Sequence, residues 1–207
     1  MRATPAIRAT LTSLVVAFAS MAAARTATAD GGYAEAVVGL GIPIAEDDYE
    51  NAVDESLKLG VRAGGGAGST AVELALDVTP VASELDSAAV EVGVQRYRML
   101  IGGRHRIRSG PATLFVRAGV GVDVVHYSAS STVLGIMFEA SETDLGLAAE
   151  VGGGFTIPVG GKLYVGGHLA VPMAFHFDDD DPAVNDDADL EYTGIDVDVL
   201  FTIGTTR

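Results

Sequence analysis

Apolar and polar residues alternate one by one over long stretches of this chain. Between residues 113 and 127, Val116, Val120 and Val124 share one parity, whereas Arg117 and Asp123 share the other. The same alternation recurs at 162–177 and 191–203. Because successive side chains of a β-strand point to opposite faces of the sheet, this period of two predicts strands with one apolar and one polar face.

The pattern divides the chain into eight such segments, at 33–43, 55–64, 69–79, 89–101, 113–127, 143–157, 162–177 and 191–203. The connections at 64–68, 102–110 and 158–161 are fairly short and rich in Gly or Pro. Those at 44–54, 80–88, 128–142 and 178–190 are mostly longer and richer in acids, Ser or Thr. Outer-membrane barrels have short periplasmic turns and longer extracellular loops. We therefore predict an all-β fold, a single up-and-down antiparallel transmembrane β-barrel of about eight strands.

The first 29 residues have the features of a secretory signal peptide. Arg2 and Arg8 precede an apolar run at 11–24, and small residues then lead to an Ala-x-Ala cleavage site that ends at Ala29. The apolar run is shorter than the roughly 20 residues that a transmembrane helix needs. We predict a cleaved signal peptide at 1–29 and one barrel domain at 30–207. The alternative is an uncleaved N-terminal anchor.

Charge and composition limit the possible partners. The formal net charge is −15, and removal of residues 1–29 takes away three arginines and no acid, which leaves −18. A charge this negative argues against nucleic acid as a partner. The mean hydropathy is nevertheless +0.33, and no run of 18 apolar residues follows the signal. Strands that alternate between a lipid-facing side and a lumen-facing side account for both observations.

The chain resembles the small bacterial outer-membrane β-barrel proteins of the OmpA transmembrane-domain, OmpX and OmpW type. The resemblance covers residues 30–207 and is carried by the segments TLFVRAGVGVDVVHY, DLGLAAEVGGGFTIPVGGKLYVGGHLAVPMAF and YTGIDVDVLFTI. It implies a location in the cell outer membrane, contact with outer-membrane lipid and insertion by the barrel assembly machinery. Members of that group usually end on an aromatic residue. This chain departs from that pattern, because it ends on Arg207 and its last aromatic residue is Phe201. The rival fold is a soluble periplasmic lipocalin-like ligand-binding barrel, whose apolar faces would point inward.

The polar faces of the strands predict a charged lumen. An eight-stranded barrel is just wide enough for side chains to fill, and buried charges are normally paired. We therefore interpret these residues as a structural ion-pair network; the alternative is a narrow cation-selective channel, since rings of acids favour cations. The residues of lumen parity are Glu35, Lys58, Arg62, Glu73, Asp77, Glu91, Gln95, Arg117, Asp123, Glu150, His168, Asp196 and Asp198.

Two acidic features raise the question of further chemistry. The stretch 178–191 is dense in Asp and could bind a divalent cation such as Ca²⁺ weakly, although it lacks the spacing of an EF-hand and is more typical of a solvated loop. Asp123 lies near His126 in sequence, and barrel proteases of the omptin type use Asp and His at their rim. However, His126 has lipid-facing parity and no positioned nucleophile accompanies it. We predict no enzymatic activity and no cofactor.

The basic residues of the fourth segment form the remaining feature. Residues 103–108 predict a basic periplasmic turn that contacts anionic headgroups or is simply solvated. Arg96 and Arg98 share the parity of Val92 and Val94. They are therefore expected to extend along the barrel exterior to the inner membrane interface, unless a bulge shifts the register.

Overall fold

The computed structural model of the chain describes residues 31–45, 56–83, 90–133, 136–177 and 190–206. The predicted signal peptide and the acidic residues 178–189 lie outside the described residues. The described residues form eight strands: β1 (Tyr33–Ala45), β2 (Ser56–Gly65), β3 (Thr70–Ser83), β4 (Val90–Ser109), β5 (Ala112–Val133), β6 (Ile136–Gly160), β7 (Leu163–Phe177) and β8 (Leu190–Thr206).

These strands form one closed barrel in chain order. Each strand pairs antiparallel with the next, and β1 pairs with β8 from Tyr33 opposite Thr206 to Ala45 opposite Ile195. Closure leaves the barrel without a free edge over these residues. The all-β, eight-stranded up-and-down barrel that the alternation predicts is confirmed.

Three short turns lie at the same end of the barrel as Tyr33 and Thr206. They comprise residues 66–69, 110–111 and 161–162. Gly110 and Gly161 have φ angles of 61° and 57°, in the left-handed region that glycine enters without steric cost. This end is named the turn end, and the opposite end is named the loop end.

Strands β4 to β6 are longer than predicted. β4 continues to Ser109, and β5 and β6 extend through most of the predicted loop at 128–142. The glycines at 102 and 103 resemble a turn, but a Cβ on Gly102 would lie 2.1 Å from the carbonyl oxygen of Ala118. Glycine is needed there because two strands approach closely, not because the chain turns.

The two faces of the barrel have opposite character. Outside, Val72 and Val120 are each 62% exposed. Inside, Glu35, Arg62 and Asp123 are at most 1% exposed. The apolar parity of the strands therefore points outward, and the charged parity points into the barrel.

Candidate functional site: the charged interior

The structure places most of the predicted lumen residues inside the barrel. Gln95 has outward parity on β4, and the side chain of Glu91 is not among those that the structure describes. Asp196 is partly exposed. The others are buried: Glu35, Lys58, Arg62, Glu73, Asp77, Arg117, Asp123, Glu150, His168 and Asp198.

Arg104 is held between two carboxylates and two aromatic rings near the turn end. Its guanidinium donates two hydrogen bonds to Glu35, and its Nε lies 2.8 Å from Glu73 Oε2. The guanidinium carbon lies 4.5 Å from the ring centroid of Tyr33 and 4.2 Å from that of Phe115. Desolvated cation–π contacts of this kind add to the ion pairs. Arg104 therefore fills the lumen close to its turn end.

Arg117 and Arg62 continue this group toward the middle of the barrel. Arg117 Nε lies 2.8 Å from Glu73 Oε1, and Arg117 Nη1 donates to Glu150. Arg62 Nη2 lies 3.3 Å from Asp77 Oδ2 and 3.8 Å from Glu150 Oε1. The connected residues are named the turn-end cluster: Glu35, Arg62, Glu73, Asp77, Arg104, Arg117 and Glu150.

Asp123 organises a second group nearer the loop end. Its carboxylate accepts hydrogen bonds from Arg96 Nε at 2.7 Å and from Arg98 Nε at 3.2 Å. The Nε2 atom of His176 lies 3.3 Å from the same carboxylate. Asp123 thus binds both arginines, and removing one partner of such a buried ion pair is costly.

Lys58 joins β8 to this second group. Its Nζ lies 2.9 Å from Asp196 Oδ2 and also contacts Asp198. Arg96 Nη1 lies 3.8 Å from Asp196 Oδ2 and so links Lys58 to Asp123. The residues are named the loop-end cluster: Lys58, Arg96, Arg98, Asp123, Asp196 and Asp198.

An apolar layer lies between parts of the two clusters. Ala75, Leu100 and Ala148 are buried and pack together, and Leu100 lies on β4 between Arg98 of the loop-end cluster and Arg104 of the turn-end cluster. The turn-end cluster contains three cations and four acids, and the loop-end cluster contains three of each. The charges of the two clusters are therefore almost balanced.

The expectation for Arg96 and Arg98 was wrong, and so was that for Gln95. Both arginines point into the barrel and bind Asp123, whereas Gln95 has outward parity and accepts a hydrogen bond from Tyr97. No bulge interrupts β4 between these positions. Val92 and Val94 suggest the wrong face, because the apolar parity of β4 changes between its loop end and its middle.

Arg104 was also misplaced, because the glycine pair before it predicts a turn. The sequence does contain a signal that identifies it. Met99 and Ile101 are 58% and 55% exposed on the outer face of β4. Because successive residues of a strand face opposite sides, Arg98 and Arg104, at an odd number of positions from these two residues, have inward parity.

The predicted acid–base residues do not combine into a recognisable active site. His126 contacts Thr143 Oγ1 at 3.0 Å and has the opposite parity from Asp123. Within the described residues, no group of three or more His, Cys, Asp or Glu residues is arranged to hold a metal ion. No helix in the described part of the chain is long and apolar enough to cross a membrane. The acidic stretch 178–191 falls on residues that are undescribed or whose side chains are undescribed.

Comparison with known proteins finds similarity of fold only. No family model matches the chain, and no curated protein matches it. A major outer membrane protein from Thermus thermophilus superposes with a TM-score of 0.58 at 12% identity, covering 86% of this chain and 98% of that one.

Two further solved structures have TM-scores just below 0.5. Neisserial surface protein A has a TM-score of 0.49 at 8% identity, covering 84% of this chain and 95% of that one. Ail, the attachment invasion locus protein of Yersinia pestis, has a TM-score of 0.49 at 13% identity, covering 86% and 98%. The described part of this chain has the fold of a small outer-membrane β-barrel protein, the class that its sequence resembles.

Proposed function

We propose that this chain is a non-enzymatic outer-membrane β-barrel protein, structural or surface-interacting, with a packed and ion-paired lumen. The orientation of the two faces carries the proposal. Val72 and Val120 are exposed on the outside, whereas Glu35, Arg62 and Asp123 are almost fully buried inside. An apolar exterior around a charged interior suits a lipid environment, and it is the reverse of what a soluble ligand-binding barrel needs.

The height of the apolar exterior supports a position across a bilayer. On β5, outward-facing residues run from Leu114 to Val124, ten residues further along the strand. With a rise of about 3.3 Å per residue and a strand tilt of about 40°, this covers about 25 Å along the barrel axis. The apolar band of outer-membrane barrels has about the same height.

The contents of the lumen support a structural role over conduction. Ion pairs occupy both ends of the lumen, and buried Leu100 lies on β4 between Arg98 of one cluster and Arg104 of the other. A hydrated ion would have to displace these paired side chains. A cation-selective path also relies on an excess of acids, whereas the two clusters hold six cations and seven acids.

The bonding of Asp123 supports a non-enzymatic role. Although His176 lies beside it, both carboxylate oxygens also accept bonds from arginines, Arg96 on one oxygen and Arg98 on the other. A carboxylate occupied in this way is poorly suited to act as a base or to orient one.

The partners that we propose are outer-membrane lipid and the barrel assembly machinery, and we propose no substrate.

Fractionation combined with electrophoresis tests this function. We expect the mature protein in the outer-membrane fraction, soluble only with detergent, and with a gel mobility that changes on heating. In planar bilayers we expect no discrete ion currents. Extraction by buffer alone would support the soluble barrel instead, and cation-selective single-channel currents would support the channel.

A further inference from the structure

We propose that the turn end of the barrel binds anionic phospholipid headgroups through a basic rim. The rim consists of Arg106, Arg108 and Lys162. This inference rests on the proposed function, because it requires the barrel to stand in a bilayer. It adds a lipid class and a surface of the protein to that function.

Exposed charge at the turn end is positive, although the chain as a whole is strongly acidic. The acids near the turn end are Glu35 and Glu73. This holds for the described residues within six positions of a turn or a strand end on that side. They are 0% and 3% exposed, and both bind Arg104. These acids therefore compensate interior arginines and leave the charge of the rim uncompensated. The rim carries three positive charges on a chain whose net charge is −15.

The rim lies where the apolar exterior ends. Ile107 is 50% exposed, Val159 is 59% exposed and Leu163 is 53% exposed, and these residues are adjacent in sequence to the rim residues or to the same turn. Arg106 and Arg108 have the opposite parity from Ile107, so they lie on the lumen side at the end of β4, whereas Lys162 lies in the turn next to Leu163. Long basic side chains at such a border can place their charge at headgroup level. This continuity with the apolar exterior favours a lipid headgroup over a free phosphate ion.

The rim has a fixed part and an exposed part. Arg106 is anchored to the turn between β2 and β3, because its Nη2 donates to the carbonyl oxygen of Gly68 at 3.3 Å and its backbone N donates to Ser69 O at 2.7 Å. Arg108 and Lys162 are exposed beside the next two turns. Arg106 and Arg108 both lie on β4, whereas Lys162 lies in the turn between β6 and β7, so the rim spans two sectors of the barrel and would contact different lipids.

Urea unfolding in vesicles of two compositions tests the proposal. The protein is refolded into phosphatidylcholine vesicles and into mixed vesicles of phosphatidylcholine and phosphatidylglycerol with the same acyl chains. At low salt we expect the parent to unfold at a urea concentration about 1 M higher in the mixed vesicles. At 1 M salt, where the Debye length is about 3 Å, this shift should vanish.

Variants of the rim identify the residues responsible. The triple variant Arg106→Gln, Arg108→Gln, Lys162→Gln should lose the shift but keep the parent midpoint in phosphatidylcholine. The charge-preserving control Arg106→Lys, Arg108→Lys should retain it. The double variant Arg108→Gln, Lys162→Gln spares the anchored residue, and it should lose most of the shift even if the triple variant fails to refold.

Three outcomes separate the explanations. An equal shift in the parent and in the glutamine variants overturns the proposal. A comparable rise in phosphatidylcholine on addition of soluble polyphosphate also overturns it, because the rim would then bind polyanions in general. Failure of the parent to insert even into phosphatidylcholine vesicles, seen as an unchanged gel mobility on heating, contradicts the proposed function itself.

Discussion

Replacement of Arg117 by alanine should lower the stability of the barrel strongly. The Arg117 side chain is 4% exposed, with Nε at 2.8 Å from Glu73 and Nη1 bonded to Glu150. Removing one partner of a buried ion pair typically costs about 3–5 kcal/mol, because the other charge stays buried and uncompensated. In the variant, Glu73 would keep Arg104 at 2.8 Å, whereas Glu150 would keep only Arg62 at 3.8 Å.

Because one of the two acids remains well paired, we expect a loss near the lower limit, about 3 kcal/mol. With a denaturant dependence of about 1–3 kcal/mol per molar urea, the midpoint of unfolding should fall by roughly 1–3 M. The assay is urea unfolding in phosphatidylcholine vesicles, followed by heat-modifiable gel mobility. Arg108→Ala serves as the control, since this exposed arginine should change stability by no more than about 0.5 kcal/mol.

A second variant separates ion pairing from the loss of side-chain volume. Adding Glu150→Gln to Arg117→Ala removes the stranded charge and should recover part of the stability. The reasoning is refuted if Arg117→Ala unfolds at the same urea concentration as the parent. If that variant also alters ion currents in planar bilayers, Arg117 belongs to a conducting path and the structural interpretation of the lumen must be abandoned.

Four further predictions address the exterior, the strand contacts and the undescribed segments. Val120→Arg, at mid-height of the apolar exterior, should cost about 2–4 kcal/mol, whereas Val159→Arg near the turn end should cost about 0–1 kcal/mol; equal refolding yields in vesicles would contradict the assigned depths. Gly102→Ala should impair refolding, because its Cβ would lie 2.1 Å from a carbonyl oxygen; parent-like yield would show that the strands can separate there. Mass spectrometry of the exported protein should show cleavage after Ala29, and a mature chain that retains Met1 would exclude this. Replacing residues 179–189 by a short Gly/Ser linker should leave the heat-modifiable mobility unchanged with or without calcium, whereas its loss, or calcium-dependent stability of the parent, would indicate a structural cation site.

The sequence predicts the barrel well where alternation is uninterrupted. On β5, Val116 and Val120 face outward and Arg117 and Asp123 face inward, as their parity indicates. The alternation of short and longer connections also predicts which strands are neighbours, because strands that are consecutive in sequence usually pair with each other. The number and order of strands therefore follow from local pattern alone.

The sequence predicts β4 poorly, for two physical reasons. Its apolar parity changes between Val94 and Met99, so a face assigned from its loop end is wrong for its middle. Gly102 also resembles a turn residue although it serves close strand packing. Three of the six interior cations lie on this strand, and the lumen consequently appears from sequence to be more acidic than it is.

The partners of the interior charges could not be predicted from sequence. Each strand is inclined to the barrel axis. Which residues of two different strands lie at the same height therefore depends on the strand register. The bond from Arg104 to Glu35 joins β4 to β1, which are not neighbours in the barrel. Parity indicates that both side chains point inward, but register and tilt decide that they meet.

The interior ion pairs have a consequence for how the barrel enters the membrane. Lys58 pairs with Asp196, 138 residues away, and Glu35 accepts bonds from Arg104 and Tyr164, 69 and 129 residues away. A sheet that lacked β8 would therefore present uncompensated charges to the bilayer, where they are costly. Partly inserted forms should be too unstable to accumulate, and insertion should coincide with closure between β1 and β8. Whatever assists assembly must shield the charged face of the open sheet until the last strand arrives.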